Sequence, residues 1–112
     1  MVNHDPSILA QLMAVIEDRK ANPSQKSYTA SLLAGGTEKI GAKIVEEAAE
    51  VVEAAAEPGQ QGRQHLVHEA ADLIYHLCVM LGYRDVNLAE VEAELAQRFG
   101  TSGLEEKASR GK

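Results

Sequence analysis

The stretch Glu69-Ala-Ala-Asp-Leu-Ile-Tyr-His-Leu-Cys-Val-Met-Leu81 decides the fold. Past its two carboxylates it is apolar in nearly every direction around a helix, so the spacing predicts a buried helix. Glu69 and Asp72, three residues apart, share one face of that helix. An unpaired anion in a protein interior is costly and has to be met by a proton, a basic partner or a metal ion. Glu47 and Glu50 repeat the spacing earlier in the chain. Two helices packed with these faces together enclose four carboxylates. That all-oxygen set suits a hard divalent cation such as Mg²⁺, with Mn²⁺ as the alternative.

The chain has 112 residues, 45% of them hydrophobic, enough for one compact domain and too few for two ordinary ones. Its aromatics are only Tyr28, Tyr75, Tyr83 and Phe99, while Ala and Leu abound, which favours helices packed through small residues over a β-sandwich. The expected class is all-α. With 17 acidic against 11 basic residues the net charge is −6, which argues against nucleic acid or an anionic membrane as partner. A phosphate ligand must then be met by local cations or a bound metal. Cys78 is the single cysteine, so one chain makes neither a disulfide framework nor a multi-cysteine zinc site, and its apolar neighbours point to a buried thiol. No basic-then-apolar leader opens the sequence. The longest apolar run, Leu73 to Leu81, is interrupted by His76 and falls well short of the roughly 20 residues that span a bilayer. A cytoplasmic protein is expected.

Asp5-Pro6 reads as an N-cap followed by proline at the first helical position, opening a helix with the stripe Ile8, Leu9, Leu12, Val15, Ile16 that stops before Pro23. After a turn-rich segment, Tyr28 to Ala34 reads as a short helix ending at Gly35-Gly36. Thr37 caps a long helix to Glu57, closed by Pro58-Gly59, with Ile40, Ile44, Ala48, Val51 and Ala55 inward. Pro58 to Gly62 reads as a loop, and the next helix runs from about Gln64 to Leu81. Asn87 with Glu90 makes a capping-box-like start for a last helix whose Leu88, Val91, Leu95 and Phe99 face inward, with Gly100 as its stop. Residues 1–100 form one domain and 101–112 a polar tail. The expected architecture is a compact bundle of three long helices plus a short one. Such a small set leaves apolar surface uncovered, so homo-oligomerisation is expected to complete it, as a homodimer or higher.

At ~100° per residue Lys39, Lys43, Glu46, Glu50, Glu53 and Glu57 share an arc of roughly 80°, with Glu47 at the border of the apolar stripe. Glu53 and Glu57 read as solvated acidic surface. On the later helix His65, Glu69, Asp72 and His76 share an arc of about 60°. Ion pairs alone also satisfy these carboxylates, Glu69 with His65 and Asp72 with His68 or His76, but they leave Glu47 and Glu50 unexplained. The second histidine of a His-Glu-x-x-His zinc site is missing, because Asp72 follows His68-Glu69. A di-iron bundle needs Glu-x-x-His pairs, which are absent here. Lys39 and Lys43 lie in the first turns after Thr37, at the positive end of the helix dipole, roughly 5 to 15 Å along the axis from Glu47 and Glu50. That is the span of a polyphosphate.

The stretch from Ser27-Tyr-Thr-Ala-Ser-Leu-Leu-Ala-Gly-Gly-Thr-Glu-Lys-Ile-Gly-Ala-Lys43 to Glu50 closely resembles the phosphoribosyl-ATP pyrophosphohydrolases of histidine biosynthesis, as do Glu69 to His76 and Asp85 to Arg98. Glu46-Glu47-x-x-Glu50 followed by Glu69-x-x-Asp72 is similar to the signature of the MazG-like all-α nucleoside triphosphate pyrophosphohydrolases. The resemblance implies Mg²⁺-dependent cleavage between the α and β phosphates of 1-(5-phosphoribosyl)-ATP, giving phosphoribosyl-AMP and pyrophosphate. Glu47, Glu50, Glu69 and Asp72 match the metal-binding positions, and Glu46 is a further ligand or a water-orienting base. Lys39 and Lys43, with Tyr28 just before them, take the substrate phosphates. The competing readings are a housekeeping pyrophosphohydrolase of ordinary or damaged nucleotides and a non-catalytic helical oligomerisation module.

Overall fold

A computed structural model describes residues 7–100, and within them the regular elements are four helices: α1 (Ile8–Ala21), α2 (Tyr28–Ala55), α3 (Gly59–Tyr83) and α4 (Leu88–Gly100). The all-α expectation holds. The tail 101–112 and the Asp5-Pro6 cap lie outside the described residues. α1 is capped instead by Ser7, whose hydroxyl accepts from the Ala10 amide at 3.1 Å. α2 starts behind the same kind of cap at Ser27.

The short helix and the long one expected after it are the two arms of α2, broken at Gly36. Gly36 has φ 68° and ψ −162°, a conformation open essentially to glycine alone, and the Tyr83 hydroxyl lies 3.0 Å from where a β-carbon would sit. The arm after Gly36 runs antiparallel to α3, with Gly41 beside Met80 and Glu47 in reach of Glu69. A straight helix would carry Tyr28 past the end of α3. The break returns it to the middle of α3, where its ring stacks on Tyr75 and meets His76 edge-on. The phenols are secured on both rings: Tyr28 to His76, and Tyr75 to the Thr29 hydroxyl.

α2 and α3 pack mainly on each other, and α1 lies across both. The core consists of Ile16 from α1, Leu32 and Ile40 from α2, and Cys78 and Val79 from α3, all buried, so the cysteine reading stands. Leu12, Met13, Leu33, Ile44 and Met80 pack around it.

Four details differ from the sequence reading. α3 begins at Gly59, so most of the expected Pro58–Gly62 loop is its first turn; α2 already ends at Ala55, and residues 56–58 make the turn between them. On α2 beyond the Gly36 break the buried positions are Ile40, Glu47 and Ala54, whereas Ala48 and Ala55 are exposed. Alanine constrains a helix's facing too weakly to set it, and the packing of α3 decides. α3 is not buried all round, since Val67, Ile74 and Leu77 are exposed. On α4 nothing is buried, Leu95 and Phe99 included, because this helix reaches the others chiefly through α1. Of its expected capping box, the Glu90 side chain does accept from the Asn87 amide at 2.9 Å.

Candidate active site

The α2–α3 hairpin turns within Ala56-Glu57-Pro58, and near this turn the seam between the helices becomes acidic. Glu47 and Glu50 from α2 and Glu69 from α3 each bring a carboxylate oxygen into one group, all within 4.8 Å of one another. Glu47 and Glu69 are buried, with 6% and 8% of their surface exposed. That is far from the border position expected for Glu47. Asp72 stands one turn along α3, grouped with Glu69 and His68, and its charge acts on Glu47.

Glu47 Oε2 and Glu69 Oε1 are fully buried without a hydrogen-bond donor. Carboxylates only accept, so among themselves these three side chains are relieved only by a proton. Burial, followed by the neighbouring Glu50 and Glu69 carboxyls, therefore pushes the Glu47 pKa up to about 7. Glu69 is the complementary member. Burial opposes its charge, but the neighbouring Glu50 and Glu47 carboxyls and the His65 imidazole hold it below the usual carboxylate range.

The ion pairs foreseen as alternatives also form. His65 Nε2 meets Glu69 at 3.0 Å and His68 meets Asp72 at 3.3 Å. They satisfy one oxygen of Glu69 and leave the other bare, so the pairs and the cluster coexist. His76 is buried and bonds the Asp72 carbonyl rather than its carboxylate, at 2.8 Å through Nδ1. Nδ1 must then carry the proton, which makes Nε2 the acceptor for the Tyr28 hydroxyl at 3.0 Å. His76 thus orients Tyr28 from beneath.

The phosphate-binding candidates divide. Lys43 is half-buried and bound to Glu46 at 3.2 Å, and this bond raises its pKa. Lys43 and Glu47 both act on the Tyr28 phenol, whose pKa burial raises first. On a straight helix Tyr28 and Lys43 would stand roughly 22 Å apart. Lys39 is exposed and reaches back across the Gly36 break to the Ser31 hydroxyl at 3.4 Å. Glu46 is exposed and outside the carboxylate group, held on its rim by Lys43. Thr29, Tyr75 and Glu57 escaped the sequence reading as contributors. Glu57, read as solvated surface, binds His65; only its position in the α2–α3 turn hinted at this.

Fold and site together define an all-α protein whose carboxylates converge from two antiparallel helices beside a lysine and a tyrosine. Residues 9–99 match the family described as phosphoribosyl-ATP pyrophosphohydrolase. The chain is 55% identical over 102 residues to a phosphoribosyl-ATP pyrophosphatase of Rhodopirellula baltica, covering 91% of this chain and 85% of that one. It is 53% identical over 105 residues to one of Cereibacter sphaeroides, at 94% and 99% coverage. A third, of Geobacter metallireducens, is 49% identical over 112 residues with 99% of each chain covered. The chain belongs to the phosphoribosyl-ATP pyrophosphohydrolase family, and it is a hydrolase.

Proposed function

We propose that this enzyme hydrolyses 1-(5-phosphoribosyl)-ATP to 1-(5-phosphoribosyl)-AMP and pyrophosphate, an early step of histidine biosynthesis, with Mg²⁺ as cofactor and Mn²⁺ as a substitute. The observation that carries the reading is the pair of donorless buried oxygens, Glu47 Oε2 and Glu69 Oε1, inside an all-oxygen cluster. Such atoms fit a hard cation, which accepts carboxylate oxygens without asking either for a proton. Glu47, Glu50 and Glu69, with Asp72 one turn further, would hold it. What a divalent ion supplies in such a site is neutralisation of phosphate charge and activation of water.

The chain's own side chains do the rest. Lys43 and Lys39 line the approach to the cluster along α2 and stabilise charge on the departing pyrophosphate. Tyr28, its hydroxyl hydrogen-bonded to His76 and within the field of Lys43, helps orient the polyphosphate beside that lysine. Glu46, steadied by Lys43 on the rim, is placed to orient water. No helix among the described residues is long and apolar enough to cross a membrane. A cytoplasmic homodimer or larger homo-oligomer is in keeping with that and with the uncovered Ile74, Leu77, Leu95 and Phe99.

The phosphoribosyl group gives the substrate a phosphate remote from the reacting bond, and its binding energy can position the triphosphate. ATP lacks that handle. Pyrophosphate release in Mg²⁺ should therefore favour phosphoribosyl-ATP over ATP, dCTP and dUTP by at least ~100-fold in kcat/KM, about 2.7 kcal/mol. Comparable rates on dCTP or dUTP would replace this reading with a housekeeping nucleotide pyrophosphohydrolase.

A further inference from the structure

Glu69 differs from the other members of the cluster in being held from outside it. Its Oε2 meets His65 Nε2 at 3.0 Å, while Oε1 stays buried without a donor. The opposite ring nitrogen, Nδ1, lies 2.9 and 3.0 Å from the two oxygens of Glu57. Both nitrogens face carboxylates, which only accept, so both donate. Glu57 is itself fixed by backbone in the α2–α3 turn. Its amide bonds the Ala54 carbonyl at 3.1 Å, and its own carbonyl lies 2.1 Å from where a β-carbon on Gly62 would stand, so α3 closes on Glu57 only because residue 62 is glycine. A continuous chain thus runs from the turn through Glu57 and His65 to Glu69.

We propose that His65 is a positioning residue which, backed by Glu57, fixes the Glu69 carboxylate so that its free oxygen is presented to a cation shared with Glu47 and Glu50. The proposal rests on the cation reading above. A glutamate has three side-chain torsions to immobilise when it becomes a ligand, and a partner that immobilises them beforehand strengthens cation binding. Among the described residues the hydrogen bonds of His65 go to Glu57 and Glu69, so the cluster is reached through the Glu69 carboxylate. An ordinary half-exposed ion pair would stabilise the hairpin slightly and leave cation affinity untouched.

Mn²⁺ titration calorimetry on the full chain separates the two. His65→Ala should weaken Mn²⁺ binding by about 10-fold, the usual loss when a partner of a metal ligand is removed. Glu57→Ala, which leaves His65 in place without its anchor, should weaken it in the same direction by less. His65→Gln, able to donate to Glu69 alone, should recover part of the loss. In kinetics the Mg²⁺ concentration for half-maximal rate should rise while kcat at saturating Mg²⁺ largely returns. Unchanged Mn²⁺ affinity in both His65→Ala and Glu57→Ala overturns the proposal, even if their melting temperatures fall. Absence of Mn²⁺ binding by the unsubstituted protein would instead overturn the cation reading itself, and the proposal with it.

Discussion

The two ends of the α2–α3 seam are built on opposite rules. Toward Gly36 the helices meet through Ile40 and Val79, both fully buried, with Cys78 and Ile16 against them. Toward the Ala56–Pro58 turn the same two helices bury Glu47 and Glu69, with two oxygens left without donors. The apolar end lowers the free energy of the folded chain, since each side chain leaves water and finds close contacts. The acidic end raises it, since charge is removed from water and set against like charge. Under the proposed function a bound cation releases that stored cost, and the contrast then separates the part that holds the molecule together from the proposed site.

Substitutions should break the contrast in opposite senses. Ile40→Ala, at the apolar end, should cost about 2–5 kcal/mol of stability in chemical denaturation, by the transfer and cavity terms together. Its pyrophosphatase turnover, measured well below the melting temperature, should change far less. Glu50→Gln, at the acidic end, should lower turnover by at least ~100-fold, about 2.7 kcal/mol in the barrier. Denaturation of that variant without divalent ions should show equal or greater stability than the unsubstituted chain, as one of three crowded carboxylates has been neutralised. If Glu50→Gln were as destabilising as Ile40→Ala, the acidic end would be an ordinary part of the core.

The smallest effect, and the sharpest on the acidic end, is the pH dependence. Glu47 titrates near 4.5 when unfolded and at about 7 in the folded chain, so between these values the folded form binds more protons. The contribution is fully present below pH 4.5 and is lost as pH rises through about 7. Melting of the metal-free protein should accordingly fall across that window, and saturating Mg²⁺ should flatten the slope by taking the proton's place. Glu47→Gln should flatten it without Mg²⁺.

Much of this was legible in the residues. The apolar run around Glu69 and Asp72 called for a buried helix, and the repeated three-residue spacing at Glu47 and Glu50 called for a second face to meet it. Gly35-Gly36 marked a break, because glycine is needed where φ is positive. The exposed Leu95 and Phe99 were misread as inward, since a helical stripe shows that a face is apolar and not which chain covers it.

Local sequence determined the helices, their caps and the chemistry of each face, because propensity, capping and periodicity act within a few residues. Only tertiary structure decided which members of those faces meet. Glu47 moved from the border of its stripe to the interior because α3 sets the rotation of α2. Asp72 stands one group along, and Glu46 remains on the rim with Lys43. The angle at Gly36 brings Tyr28 back to His76 and Lys43, and the tight turn sets Glu57 against His65. Those contacts join residues 8 to 48 positions apart, and their geometry follows from how whole helices pack rather than from any local rule.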